Sequence, residues 1–155
     1  MEAKLPMHLT KKVTTALVFA IAMTVSSFAS EIMVDDFRHS PEQNWRFFAD
    51  TVMGGKSSGQ VVFKKEGEDA YARMTGRVTT ANNGGFIQIR KDLRSPPPEG
   101  TKGVRLIVRG NGERYFVHLR TSGTLLPWQY YQADFSTTAS WREVRLPLDR
   151  FHQIR

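Results

Sequence analysis

The chain of 155 residues contains no cysteine. Disulfide staples, thiolate metal sites and cysteine nucleophiles are excluded, so any core must hold by packing alone. No apolar run is long enough to cross a membrane as a helix, which takes roughly 20 residues. No extended stretch carries the three-to-four-residue apolar period of a long amphipathic helix. Catalytic patterns are equally scarce. His39, His118 and His152 are not spaced as metal ligands, and no serine sits in a nucleophile-elbow pattern. Acidic residues are the minority: 22 lysines and arginines face 15 aspartates and glutamates, a net charge of +7.

The first thirty residues carry the clearest pattern. Lys4, Lys11 and Lys12 precede an apolar run from Val13 to Val25, and Ser27-Phe28-Ala29 supplies small residues at a cleavage site. This order describes a secretory signal peptide over residues 1–29, with Ser30 as the mature start and Met7 as a second candidate initiator. A signal retained as an anchor is the alternative. The expected location is periplasmic or secreted, with no membrane span after cleavage. The mature part, 30–155, has room for one domain. Without the leader its charge is about +5. The basic residues are scattered among strands, which fits solubility or an acidic surface as partner, and nucleic acid is not expected.

Short β-type segments bounded by turn residues fill the rest. They end at Asp36-Phe37, then cover Trp45–Ala49, Gln60–Lys64, Ala70–Thr79, Gly85–Arg90, Gly103–Arg109, Arg114–Thr121, Trp128–Phe135 and Trp141–Leu146. Many short strands with Gly, Pro and Asn punctuation indicate an all-β sandwich or jelly roll. Gly110-Asn111-Gly112 reads as a hairpin turn. Ser95-Pro96-Pro97-Pro98 reads as a surface loop, because proline cannot lie inside a central strand.

Period-two alternation separates the faces. Val104, Leu106 and Val108, then Tyr115, Val117 and Leu119, then Tyr131, Ala133 and Phe135 form apolar rows directed at a core. If the three strands are neighbours, the opposite rows place Arg105, Arg109, His118, Arg120, Trp128 and Tyr130 on one sheet face. Rings and planar guanidinium forks together suit sugar faces and protein hot spots. The same pattern also fits a solvated face. Gly55-Lys56-Ser57 has the letters of a phosphate loop but neither its glycine spacing nor a following helix. Asp35 and Asp36 are adjacent in an extended segment and face opposite ways, so they make a poor acid–base pair. No enzyme activity, cofactor or metal is expected.

Several blocks together resemble a known family. Asn44-Trp45, then Asp50-Thr51-Val52-Met53-Gly54-Gly55 with Ser57 and Gly59, resembles the thirty-kilodalton complex I intermediate-associated protein family. Asn83-Gly84-Gly85-Phe86 with Arg90 matches a second block of that family. Gly110-Asn111-Gly112 with Tyr115, Tyr131 to Phe135, Trp141, and Leu146-Pro147 with Phe151 resemble later ones, with Asn111 where the family commonly has Asp. The resemblance implies a galactose-binding-like jelly-roll β-sandwich and a non-catalytic accessory role like that of complex I assembly factors. It brings no catalytic residues. The motif residues Asp50, Met53, Gly54, Gly55, Ser57, Asn83, Gly84, Gly85, Phe86 and Arg90 are structural or binding. Two structural roles are open for Asp50: a buried pair with Arg90, or capping of backbone N–H groups of the glycine loop. Family members continue past the last block with a further strand. Its absence would leave a backbone edge open beside Met33 to Phe37, through truncation or because another chain supplies the strand. The resulting expectation is an envelope protein that binds a protein partner. The alternative is a carbohydrate-binding module that holds glycan on the basic-aromatic face.

Overall fold

The computed structural model describes residues 31–126 and 128–154. The expected signal peptide, residues 1–29, lies outside the described residues. The described chain is all-β, with small antiparallel sheets and short single-turn helices. It divides into two compact units, and the division falls between Ile89 and Arg90.

In the first unit, one short helix, α1 (Pro41–Asn44), leads directly into β1 (Trp45–Ala49), which pairs with β4 (Ile87–Lys91). β2 (Ser58–Glu66) and β3 (Asp69–Arg77) form an antiparallel hairpin, with Glu66 opposite Asp69. The two-residue turn puts Gly67 at φ +62°, the left-handed value that a tight hairpin asks of its first central residue. Phe37 lies between two rings, tilted against Trp45 with centroids 5.5 Å apart and stacked on Phe63 at 6.0 Å. Trp45 Nε1 donates to Asp35 Oδ2 at 3.0 Å, which gives the indole a partner where it is half-buried. The strand expected to end at Asp36-Phe37 does not form. Phe37 sits at φ +58°, outside the β region, and its amide donates to Asp35 Oδ1 at 2.8 Å. Residues 31–40 therefore contain no strand edge of the kind expected beside Met33 to Phe37.

The second unit is a two-layer arrangement. β5 (Gly103–Val108) pairs antiparallel with β8 (Arg142–Pro147). β6 (Arg114–Leu119) pairs with β7 (Tyr130–Ser136), which also pairs with β9 (His152–Ile154). The two sheets contribute to one apolar cluster. Ala133, Val144 and Leu146 are buried at its centre, and Leu106, Val108, Val117, Phe135 and Phe151 pack around them. Leu106, Val108, Val117, Ala133 and Phe135 come from the inward rows predicted from alternation, and Val144, Leu146 and Phe151 join them from outside those rows.

Gly110-Asn111-Gly112 does not close a hairpin. The strands on either side of it belong to different sheets, so the segment is a crossing between layers. It is fastened to residues 137–138 instead. Gly110 N donates to Thr138 O at 2.7 Å, and Thr137 N donates to Glu113 O at 3.1 Å. A Cβ on Gly110 would stand 2.5 Å from Thr137 Oγ1, so close approach accounts for the glycine. Each flanking strand has an apolar row to bury. Facing layers bury both rows against each other, whereas a flat hairpin would leave them side by side.

Candidate functional site

The two glycine-rich blocks of the first unit meet around one carboxylate. Asp50 opens a single 3₁₀ turn, Asp50–Met53, and its side chain is completely buried. Its Oδ1 accepts the Ser57 amide at 2.9 Å. Its Oδ2 accepts the Ser57 hydroxyl at 2.5 Å, the Gly85 amide at 2.6 Å and the Phe86 amide at 3.3 Å. The backbone closes the same ring of bonds. Asp50 N donates to Phe86 O at 3.2 Å, and Gly55 N donates to Asp50 O at 3.0 Å. Ser57 Oγ in turn accepts the Thr79 amide at 3.0 Å, and Asn82 Nδ2 donates to Gly54 O at 3.2 Å. One side chain thus ties residues 50–57 to residues 79–86.

The glycines leave room for it. A Cβ on Gly55 would lie 2.4 Å from Asp50 Cγ, and one on Gly84 would lie 2.3 Å from Asp50 Oδ2. Of the two roles open for Asp50, the structure takes the capping of backbone N–H groups. Arg90, on β4, is not among the donors to Asp50 and has Asp92 within 3.9 Å. Burial by itself pushes the Asp50 carboxyl up, but the Ser57 hydroxyl and the Gly85, Ser57 and Phe86 amides outweigh it and hold the group below the usual aspartate value. The carboxylate stays charged, and its lone pairs are committed to donors. A carboxylate held charged by four donors is a weak base, and its evident use here is to join the two blocks.

The outward side of this clamp is apolar. Val52 is 70 % exposed and Met53 66 % exposed at the tip of the turn. Gly54 follows at φ +86°, and its amide donates back to Thr51 O at 3.2 Å. A rigid loop therefore carries an apolar pair in water.

The six residues expected on one sheet face are divided between layers. Arg105 and Arg109 lie on β5 or just past it, on the outer side of the β5–β8 sheet. Arg105 lies opposite Arg145, and Glu143 bridges to both. The Arg109 guanidinium stands 4.6 Å above the Trp141 ring. His118 and Tyr130 are on the outer side of the β6–β7–β9 sheet, where their rings stack with centroids 4.1 Å apart. His118 Nε2 lies 3.0 Å from Gln132 Oε1, directly across the strand pair. Burial holds the imidazole below its ordinary pKa despite that hydrogen bond. Arg120 is a loop brace: its Nη2 donates to Thr124 O at 3.1 Å and to Leu126 O at 3.0 Å. Trp128 lies outside β7, which begins at Tyr130, and its ring is exposed. The assumption that β5 neighbours β6 fails because β5 pairs with β8.

The family profile of complex I intermediate-associated protein 30 matches residues 35–155. The chain belongs to this family. No curated protein matches the chain. In the complex I intermediate-associated protein 30 family member described here, the Asp50–Gly55 and Asn83–Phe86 blocks are two halves of one clamp. Asn83 contributes a left-handed backbone at φ +57°, and the Phe86 ring meets Phe48 edge-on at 6.2 Å. Two members of the clamp escaped the sequence reading, Thr79 and Asn82. Asn82 stands beside the motif and was the visible clue, since an Asn-Asn pair before Gly-Gly offers one side chain more than the turn itself needs. Among the described residues no cluster of three or more metal-ligating side chains forms, and no helix is long and apolar enough to cross a membrane.

Proposed function

We propose that this chain is a non-catalytic accessory protein of the cell envelope that binds a protein partner, in the manner of a complex I assembly factor. Membership of the family supports the accessory role, and the leader-like first thirty residues support the envelope location. The observation that carries the reading is the Asp50 clamp. Its polar atoms are spent on backbone amides inside, while Val52 and Met53 project outward on a turn with little freedom to lose on binding. Preorganised apolar side chains are what a protein hot spot uses. Envelope extract passed over the immobilised protein should leave one stoichiometric partner, and Met53→Asp should release it without altering the circular-dichroism spectrum or the melting temperature. Equal retention by wild type and Met53→Asp would remove the turn from the interface.

A glycan reading keeps one specific support. Phe116, His118 and Tyr130 form a continuous row of rings on the outer side of the β6–β7–β9 sheet, beside Gln132 and Asp134. Rings next to amide and carboxylate oxygens suit a pyranose. A glycan array with wild type and Tyr130→Ala distinguishes the two readings.

A further inference from the structure

The loop between β6 and β7 has a composition unlike the rest of the second unit. Leu125 is 84 % exposed, Leu126 42 % and Trp128 59 %, all within four positions. Isolated exposed leucines are ordinary, but three large exposed apolar side chains on one loop are not.

The backbone beneath them is closed upon itself. Thr124 N donates to Thr121 O at 3.0 Å, and Thr121 N donates to Thr124 Oγ1 at 2.9 Å. Leu126 N donates to Gln129 Oε1, and Gln129 N donates to Leu126 O, both at 3.0 Å. The carbonyls of Thr124 and Leu126 accept from Arg120. In water such bonding is optional, because solvent satisfies an exposed amide. In an apolar medium it is required, since each amide left without a partner costs several kcal/mol.

The charge pattern points the same way. Between Glu113 and Asp134 the sequence has no acidic residue, and it carries Arg114, His118 and Arg120. An anionic surface therefore meets no fixed negative charge along this segment.

We propose that Leu125, Leu126 and Trp128 form a membrane-docking tip, inserted into the headgroup boundary of an anionic bilayer. Indole rings favour the membrane interface, where the apolar body and the N–H each find a suitable medium. A single tip of three side chains gives reversible attachment, of the strength of one short lipid anchor. The attachment would hold the protein at the membrane surface.

The test uses the exported chain, purified after leader removal, with vesicles of phosphatidylcholine alone or with about 30 mol % phosphatidylglycerol. Wild type is expected to sediment with the anionic vesicles at low salt and less so as salt rises. Leu125→Asp and Trp128→Ala are each expected to weaken that binding about tenfold or more, the effect of one large side chain leaving an apolar phase. Both positions are exposed, so melting temperatures should stay near wild type. Wild-type tryptophan emission should shift to the blue on anionic vesicles, and Trp128→Phe should abolish the shift while Trp45 and Trp141 remain. The proposal is overturned if wild type stays in the supernatant at low salt, or if Leu125→Asp binds as wild type does. Loss of the captured protein partner in Leu125→Asp, with no vesicle binding by wild type, would make the tip a protein interface instead. Failure of the Met53→Asp experiment bears on the partner-binding turn alone, because vesicle binding is read without any partner present.

Discussion

Gly84→Ala tests whether the Asp50 clamp is what the two glycine-rich blocks are for. Gly84 has φ −76° and ψ −163°, backbone that alanine adopts without strain. The new methyl carbon would lie 2.3 Å from Asp50 Oδ2 and 2.8 Å from Cγ, well inside an ordinary contact of roughly 3.5 Å. Either the carboxylate or the Asn82–Phe86 backbone must move by about 1 Å. Both routes stretch the Gly85 amide bond, now 2.6 Å, and the longer Phe86 bond, now 3.3 Å. Both amides are part-buried and bond a charged group, a kind of hydrogen bond worth about 1.5–3 kcal/mol, so weakening the two costs roughly 2–5 kcal/mol. That is a large part of a small domain's stability of about 5–15 kcal/mol. Urea unfolding followed by far-ultraviolet circular dichroism reads it as a fall in midpoint at unchanged slope. Gly54→Ala is the control. Its Cβ would meet nothing within 4 Å, but φ is +86°, so it suffers only left-handed strain of about 1–2 kcal/mol. The double variant Asp50→Ala/Gly84→Ala should lose little beyond Asp50→Ala, because the two closest clash atoms are gone and only Ala81 O, at 3.1 Å, stays near the new methyl. If Gly84→Ala costs no more than Gly54→Ala, or if its cost persists in full without Asp50, the clamp is not what holds these blocks together.

Three further outcomes follow from the same contacts. Asp50 titrates below its unfolded value of about 3.8, so the stability it contributes is present above that pH and is lost as pH falls through the lower folded value; unfolding of Asp50→Asn by acid should therefore lack that component, read as a flatter stability–pH curve at the acid end. His118 is also held below its ordinary 6.5, so the unfolded chain takes up a proton first and stability declines as pH drops below 6.5; His118→Gln should remove that decline while leaving the midpoint at pH 8 within about 1 kcal/mol of wild type. Leu146→Ala empties the centre of the second unit and should cost about 2–5 kcal/mol, whereas Leu148→Ala, at an exposed position, should cost under about 0.5 kcal/mol by the same urea assay.

Local patterns of the sequence were enough to fix the class of fold. Alternation in Gly103–Val108, Arg114–Leu119 and Tyr130–Ser136 marked strands and their inward rows, because a strand turns successive side chains to opposite sides and needs no partner to do so. The Pro96–Pro98 segment was legible as a loop for an equally local reason, the missing N–H of proline. The cluster of glycines around Asp50 was visible, and so was the option that Asp50 caps amides there. Pairing was not visible. Whether β5 lies beside β6 or β8 depends on which apolar rows can face each other across the core, and that is a property of the whole chain. This is why Arg105 and Arg109 parted from His118 and Tyr130, and why Gly110-Asn111-Gly112 crosses between layers instead of closing a hairpin.

The sequence by itself determined most of the strands, the inward rows of β5, β6 and β7, and the family, because each rests on neighbours along the chain; the strand expected at Asp36-Phe37 and the unforeseen β9 were exceptions. Only the tertiary structure decided that Asp50 gathers the amides of Ser57, Gly85 and Phe86, that Arg120 braces a loop instead of lining a face, and that Leu125, Leu126 and Trp128 are left in water. A hydrogen bond or an exposed ring is defined by what stands next to it in space, and residues 50 and 85 become neighbours only when the chain has folded.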